Sequence, residues 1–319
     1  MKLTDLEIGH LIPKLPIIQG GMAVRISTAP LAAAVAEEGG IGLIAATGMS
    51  VEELKQEIAK ARDLTKGIIG INIMFAASQF ANLVKAAIEE GIDLVVSGAG
   101  FSRDMFSWGK SAGIPIVPIV SSPKLAQLSE KLGAAAVVVE GKEAGGHLGT
   151  TLSMKELLPK VKQAVKIPVI AAGGIIDGKA VKEALSLGAD GVQMGTRFAA
   201  SKESNASDEF KKMYLDAKPE DVVLIDSPVG LKGRCILNAF VKRLFNGDNL
   251  KPNECDNCLK HCSRSFCILK ALIRAQQGDV ETGLVFSGER VGEIKDVLSV
   301  KDIIKNLIFE MEQPEVGCD

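Results

Sequence analysis

PVIAAGGIIDGKAVKEALSLGADGVQMGT, from Pro168 to Thr196, contains one whole repeat of this chain. Pro168–Ala172 is a continuous apolar run, Lys179–Leu187 is patterned as a helix, and Gly191–Met194 is a second apolar run. Neither run alternates with polar residues, which is the pattern of parallel strands covered on both faces. Each run also ends in a turn of small residues, Gly173-Gly174 after the first and Gly195-Thr196 after the second.

The same rhythm extends back to the N-terminus. Strand candidates stand at Pro16–Gln19, Ile41–Ala45, Ile68–Ile73, Asp93–Ser97, Pro115–Val120 and Ala135–Val139. Helix candidates between them are Ala29–Glu38, Val51–Asp63, Gln79–Glu90, Pro123–Leu132 and Met154–Val165. Eight such units predict a (β/α)8 barrel with right-handed crossovers. The alternative is an open doubly wound sheet. Its support is Gly98-Ala-Gly100, a GxG lacking the third glycine that a dinucleotide fingerprint needs, so the strand count favours the barrel.

After about Ala200 the rhythm breaks. Lys202–Pro219 is polar and helical, Val222–Ile225 is a short strand candidate, and Asn246–Asn257 is a polar loop. Helices are expected at Phe266–Gln277, ended by Gly278, and at Val300–Gln313. The division expected is a barrel over residues 1–200 and a cap or lid over 201–319.

Composition narrows the function classes. The 319 residues are 47% hydrophobic with a formal net charge of -2, so no electrostatic argument favours nucleic acid or a membrane surface. One Trp and one Tyr leave little to stack single-stranded bases. No apolar stretch reaches the length of a membrane span. The opening MKLTDLEIGHLIPKLP carries Asp5 and Glu7 and lacks a signal-peptide core, so a cytoplasmic protein is expected.

In a (β/α)8 barrel the residues just after each strand line the site. Here they are Gln19–Met22, Ala46–Gly48, Asn72, Ser97–Gly100, Glu140 with the glycine-rich loop around His147, Ala172–Ile175 and Met194–Phe198. The loops after the last two strands are where such barrels hold phosphate on bare backbone N–H groups, and Gly173, Gly174, Gly195 and Thr196 are the expected donors. His147 lies in EGKEAGGHLGT (Glu140–Thr150), and an imidazole there can hold or take a proton near neutral pH. Lys142 and Glu143 are read as solvated loop charges, and His10 as a surface residue.

Four of the six cysteines fall in one run, Cys255-x2-Cys258-x3-Cys262-x4-Cys267, with Cys235 and Cys318 apart. Without a secretion signal, that clustering favours a metal or redox site over disulfides. A compact run suits an iron–sulfur cluster better than zinc, which usually takes two separated pairs. Reduced cysteines on a helix remain the plain alternative. His261 lies inside the run as a possible further ligand.

The motifs QGGMA (Gln19–Ala23), GINIM (Gly70–Met74), SGAG (Ser97–Gly100), EAGGHLG (Glu143–Gly149), IPVIAAGGI (Ile167–Ile175) and VQMGTRF (Val192–Phe198) occur in this order. Together they resemble the nitronate monooxygenase (2-nitropropane dioxygenase) family, which includes flavin-dependent enoyl-acyl-carrier-protein reductases. AASKESNA (Ala199–Ala206) is similar to the reductase branch. The resemblance implies an FMN enzyme, with phosphate on Gly173, Gly174, Gly195 and Thr196. Gly21, Met22, Asn72, Glu140, Gly146 and Gln193 would lie along the rest of the flavin. It also implies that His147 is the catalytic residue, either removing a nitroalkane proton or binding a nitronate. In the reductase branch NAD(P)H would reduce the flavin and His147 would orient or protonate an enoyl thioester. Ser287-Gly288-Glu289 matches a segment where the family carries a Gly-Gln pair facing the flavin, and Glu289 departs from it.

The expected partner is thus a small molecule or acyl thioester, with a homodimer left open. An iron–sulfur and flavin electron carrier is a further reading. A phosphosugar isomerase would share the phosphate loops, but it needs a carboxylate or lysine pair, and Glu140 is the clearest acid at a strand end.

Overall fold

The structure is a computed structural model and describes residues 6–313; Asp5 and Cys318 lie outside them. Eight parallel strands close into a barrel. Along the chain they are β1 (Ile17–Gln19), β2 (Ile41–Ala45), β3 (Ile68–Met74), β4 (Leu94–Gly98), β5 (Ile116–Val120), β6 (Val137–Glu140), β8 (Val169–Ala172) and β9 (Gly191–Met194). β9 closes on β1 with Ile18 opposite Gln193. The strand omitted from this series, β7 (Gly146–Leu148), lies outside the barrel and carries His147. The sequence predicted a loop there.

Side chains on alternate strand positions go to different cores, as the two-residue period of a strand dictates. Leu43, Val96, Val138 and Ile170 fill the barrel interior, joined by Leu6, Ile8 and Leu11. Ile44, Ile71 and Val95 pack outward under the helices. Those helices are α1 (Ala29–Glu37), α2 (Val51–Leu64), α3 (Phe80–Glu89), α4 (Arg103–Ala112), α5 (Pro123–Lys131), α6 (Met154–Ala164) and α7 (Gly178–Ser186). Several begin on a side chain that accepts an amide hydrogen bond: Ser50 from Glu53, Ser122 from Leu125, Ser153 from Glu156 and Asp177 from Ala180. Such caps satisfy donors that the first helical turn leaves unpaired. α4 was not among the helix candidates, because Gly109 interrupts its pattern. That glycine is a packing requirement: a Cβ there would lie 2.4 Å from Ile116 Cγ1.

The chain beyond Ala200 serves two places. After the single turn α8 (Thr196–Ala199) come α9 (Asp208–Asp216), the hairpin β10 (Val222–Asp226) and β11 (Lys232–Ile236), α10 (Ala239–Phe245), α11 (Ile268–Gln276) and α12 (Val300–Glu312). β10, β11 and β7 form a separate antiparallel sheet over the strand ends, with Gly233 of β11 opposite His147. α12 instead returns to the outer ring beside α7, where Glu310 Oε2 accepts from Gly178 N at 2.6 Å. Among the described residues, no helix is long and apolar enough to cross a membrane.

Candidate active site

A cavity of about 280 Å3 opens at the C-terminal ends of the barrel strands. Its lower wall is the loops after β1, β3, β6, β8 and β9; its upper wall is Tyr214 of α9, the start of α11 and Phe286, Ser287, Gly288 and Arg290. Gly21, Met22, Asn72, Glu140, Gly146, His147, Gly173, Gly174, Gln193, Gly195 and Thr196 all line it. Every flavin or catalytic candidate named from the sequence therefore faces one space.

Close packing explains several of these residues. A Cβ on Gly21 would stand 2.2 Å from Asn72 Cβ, so only glycine lets the loop after β1 lie on β3. Gly173 and Gly174 have φ of 102° and 71°, the left-handed region that glycine enters without steric cost. Across the cavity, Gly288 N donates to Thr196 Oγ1 at 3.0 Å and Glu289 N donates to the Glu143 carbonyl at 3.0 Å. These two bonds stitch the upper segment to the loops after β9 and β6. Arg290 reaches the same end, donating to the Gly174 carbonyl at 3.0 Å and pairing with Asp177 at 2.8 Å and Glu293 at 2.6 Å.

Electrostatics mark two groups. Burial pushes the Glu140 carboxyl up to about 8 and the His147 imidazole down to about 4, because an apolar surrounding disfavours whichever form is charged. Both shifts favour the uncharged form at neutral pH. His147 Nε2 lies 2.7 Å from Ser227 Oγ, and its ring meets Phe286 edge-on at 5.2 Å. Gln193 Oε1 and Ser287 Oγ are buried without a partner among the described residues. Native interiors rarely leave such atoms unpaired, and both residues line this cavity, so a polar ligand that donates to the Gln193 oxygen and exchanges a hydrogen bond with the Ser287 hydroxyl fits them.

Other expectations need correction. Gln19 does not line the cavity: its Oε1 accepts from Leu43 N at 3.0 Å and its Nε2 donates to Ser27 Oγ at 2.9 Å, fixing β1 to β2. Ser97 likewise turns to the Gly100 carbonyl at 2.9 Å. Glu143 is not a solvated charge; it accepts from Met154 N at 2.9 Å at the head of α6, while Lys142 is exposed. Arg197 pairs with Asp296 at 2.8 Å, away from the cavity. Glu289 stands 4.0 Å from Arg234 and outside the lining, so the departure from the Gly-Gln pattern leaves Gly288 alone at the site. His10 is exposed, as expected of a surface residue, and His261 is exposed as well.

The predicted metal centre is not assembled. Among the described residues no three His, Cys, Asp or Glu side chains group so as to hold a metal ion, and Cys255, Cys258, Cys262 and Cys267 are all free thiols. Burial and then the neighbouring Cys267, Cys262 and Cys255 push the Cys258 thiol up, so the four lie near one another although they differ in exposure. Cys255 faces solvent and Cys267 sits at the N-cap of α11. Cys258 lines the cavity, where its neighbour Leu259 bridges to Ala77 of the barrel. Ser227, Tyr214 and Phe286 were missed, and no local motif singles them out. They reach His147 and the cavity through pairing of β10, β11 and β7 and the packing of α9.

A (β/α)8 barrel with a glycine cradle after its last two strands and a half-buried imidazole above them has the make-up of a cofactor-dependent oxidoreductase. The chain belongs to the nitronate monooxygenase family, whose profile matches residues 7–310; its members are flavin-dependent enzymes. It is 35% identical, over 92% of both chains, to (3aS,4S,5R,7aS)-5-hydroxy-7a-methyl-1-oxo-octahydro-1H-indene-4-carboxyl-CoA dehydrogenase of Rhodococcus jostii. It is 34% identical to a probable nitronate monooxygenase of Staphylococcus aureus, over 73% of this chain and 79% of that one. Among solved structures, FabK of Thermotoga maritima superposes with a TM-score of 0.85 at 36% identity, covering 94% of this chain and 93% of that one. Nitroalkane oxidase of Streptomyces ansochromogenes gives a TM-score of 0.81 at 26% identity, covering 94% and 96%.

Proposed function

We propose that this chain is an FMN enzyme that oxidises alkyl nitronates with dioxygen. The observation that carries the reading is the convergence of the two glycine loops, the unpartnered Gln193 oxygen and the half-buried His147 on one cavity. Gly173, Gly174, Gly195 and Thr196 would hold the phosphate, and Gly21, Met22, Asn72, Glu140, Gly146 and Gln193 the remainder of the flavin. Bound FMN supplies the electron acceptor and donor that links substrate to dioxygen.

The chain's own groups do the rest. A neutral Glu140 offers a hydrogen-bond donor rather than a charge. Met22, Met74, Leu269 and Leu272 give the cavity an apolar wall, which excludes water and receives an alkyl chain. His147 meets the charged end of the substrate, where an imidazole contributes by binding or moving a proton.

A second reading is an NAD(P)H-dependent enoyl-thioester reductase. The whole-length likeness to FabK and to a carboxyl-CoA dehydrogenase favours it. Two assays on the purified yellow protein separate the two. Oxygen consumption with propyl-2-nitronate in the absence of NAD(P)H supports the first. NAD(P)H oxidation that depends on crotonyl-CoA, without nitronate turnover, overturns it in favour of the second.

A further inference from the structure

Ser227 has one hydroxyl proton and one place to put it. The residue is buried in the turn between β10 and β11, where its backbone N–H donates to the Leu231 carbonyl at 2.9 Å and its carbonyl accepts from Gly230 N at 3.0 Å. Its Oγ accepts from Val229 N at 3.5 Å and lies 2.7 Å from His147 Nε2. Among the described residues, Nε2 is the only acceptor within reach of the hydroxyl. If Nε2 carried the proton, Oγ would accept twice and its own hydrogen would be buried with nothing to receive it. A buried donor left unmade costs far more than a satisfied one gains.

The other ring nitrogen is placed differently. His147 Nδ1 has no hydrogen-bond partner among the described residues, and it is not one of the atoms sealed from solvent. His147 lines the cavity, so Nδ1 is the nitrogen open to it. The ring cannot turn freely, because β7 pairs with β11 on one side and Phe286 stands edge-on at 5.2 Å on another.

We infer that Ser227 is a positioning residue that keeps the His147 proton on Nδ1, so that the imidazole presents a hydrogen-bond donor, and no lone pair, to the substrate. This rests on His147 being the group that meets substrate. It says how the ring meets the substrate of the proposed activity: the anionic oxygen of a nitronate receives the N–H, and the same nitrogen has no lone pair with which to take a carbon-bound proton. A neutral imidazole acting as a donor to developing or existing negative charge is an established catalytic device.

The test has two independent arms. In the first, the flavin-loaded protein is labelled with 15N-histidine, and the His147 ring signals are assigned by their loss in His147→Gln. The expected spectrum has the proton on Nδ1 and an acceptor-type Nε2. Ser227→Ala should give a mixture of tautomers, and Ser227→Thr should restore the single form. A proton on Nε2 in the unaltered protein, or a spectrum unmoved by Ser227→Ala, overturns the inference.

In the second arm, initial rates are compared for propyl-2-nitronate and for 2-nitropropane added as the neutral acid. Nitronate should be favoured in kcat/KM by at least about 100-fold, the scale of one oriented donor, and Ser227→Ala should raise KM for nitronate more than it lowers kcat. Equal turnover of the neutral acid overturns the inference. If neither nitro compound reacts, the nitronate reading fails by itself and the ring spectrum still decides the tautomer.

Discussion

At the scale of single residues, the proposed site rests on two groups, Glu140 and His147, that burial drives toward their uncharged forms. His147→Ala should lower kcat/KM by roughly 10²–10³-fold, the usual loss of one oriented donor, without releasing flavin; steady-state kinetics beside the visible spectrum checks both. Glu140 and His147 also give stability an unusual pH profile. Glu140 keeps its proton up to about 8 in the fold, against 4.5 when unfolded, so its contribution is complete below 4.5 and is lost as pH rises to about 8. His147 falls from 6.5 to about 4, so its contribution is complete above 6.5 and is lost as pH falls toward 4. The two oppose each other between 4.5 and 6.5, and Glu140 acts alone above that. Thermal melts of the flavin-free protein should therefore show the midpoint falling from pH 6.5 to 8, and Glu140→Gln should flatten that fall. The lower-wall residues were legible because most of them follow a barrel strand that announces itself. Ser227 was not, since its partner is 80 positions away in the chain and serines in turns have many ordinary uses.

Elements explain what the pattern of apolar runs can and cannot reveal. The barrel strands are buried on both faces, so each shows as an unbroken apolar segment, and β2 and β9 lie at the ends foreseen, Ile41–Ala45 and Gly191–Met194. β11 escaped because Lys232-Gly-Arg-Cys-Ile236 is neither apolar nor alternating; its reason for being a strand is its partners, β10 and β7. β7 is only three residues long, too short to signal by sequence. Packing between elements sets a sharp limit at Gly42 of β2, where a Cβ would lie 1.9 Å from the Ala32 carbonyl of α1. Backbone cannot yield cheaply, so Gly42→Ala should cost on the order of 1–3 kcal/mol, read as a lowered urea midpoint. At Gly233 the neighbour is softer, Phe286 Cε1 at 3.0 Å. Gly233→Val should push that ring against His147, dropping activity about tenfold or more while the melting temperature moves little.

The whole molecule is tied together through its cavity. The lower wall belongs to the barrel and the upper wall to residues from Tyr214 to Arg290, so a ligand held between them adds to the cohesion of both. Flavin at about 100 times its dissociation constant should add roughly 2.7 kcal/mol, and the loaded and stripped proteins should separate accordingly in calorimetry. Arg290 adds a consequence of another kind. It is the only lysine or arginine lining the cavity among the described residues, and its guanidinium is already claimed by Asp177 and Glu293. In the proposed mode the cradle would meet a phosphate with backbone dipoles and no spare cation, and contact rather than long-range attraction would hold the ligand. Ions in the buffer have little there to mask, so a column run in about 1 M salt should leave the yellow colour with the protein.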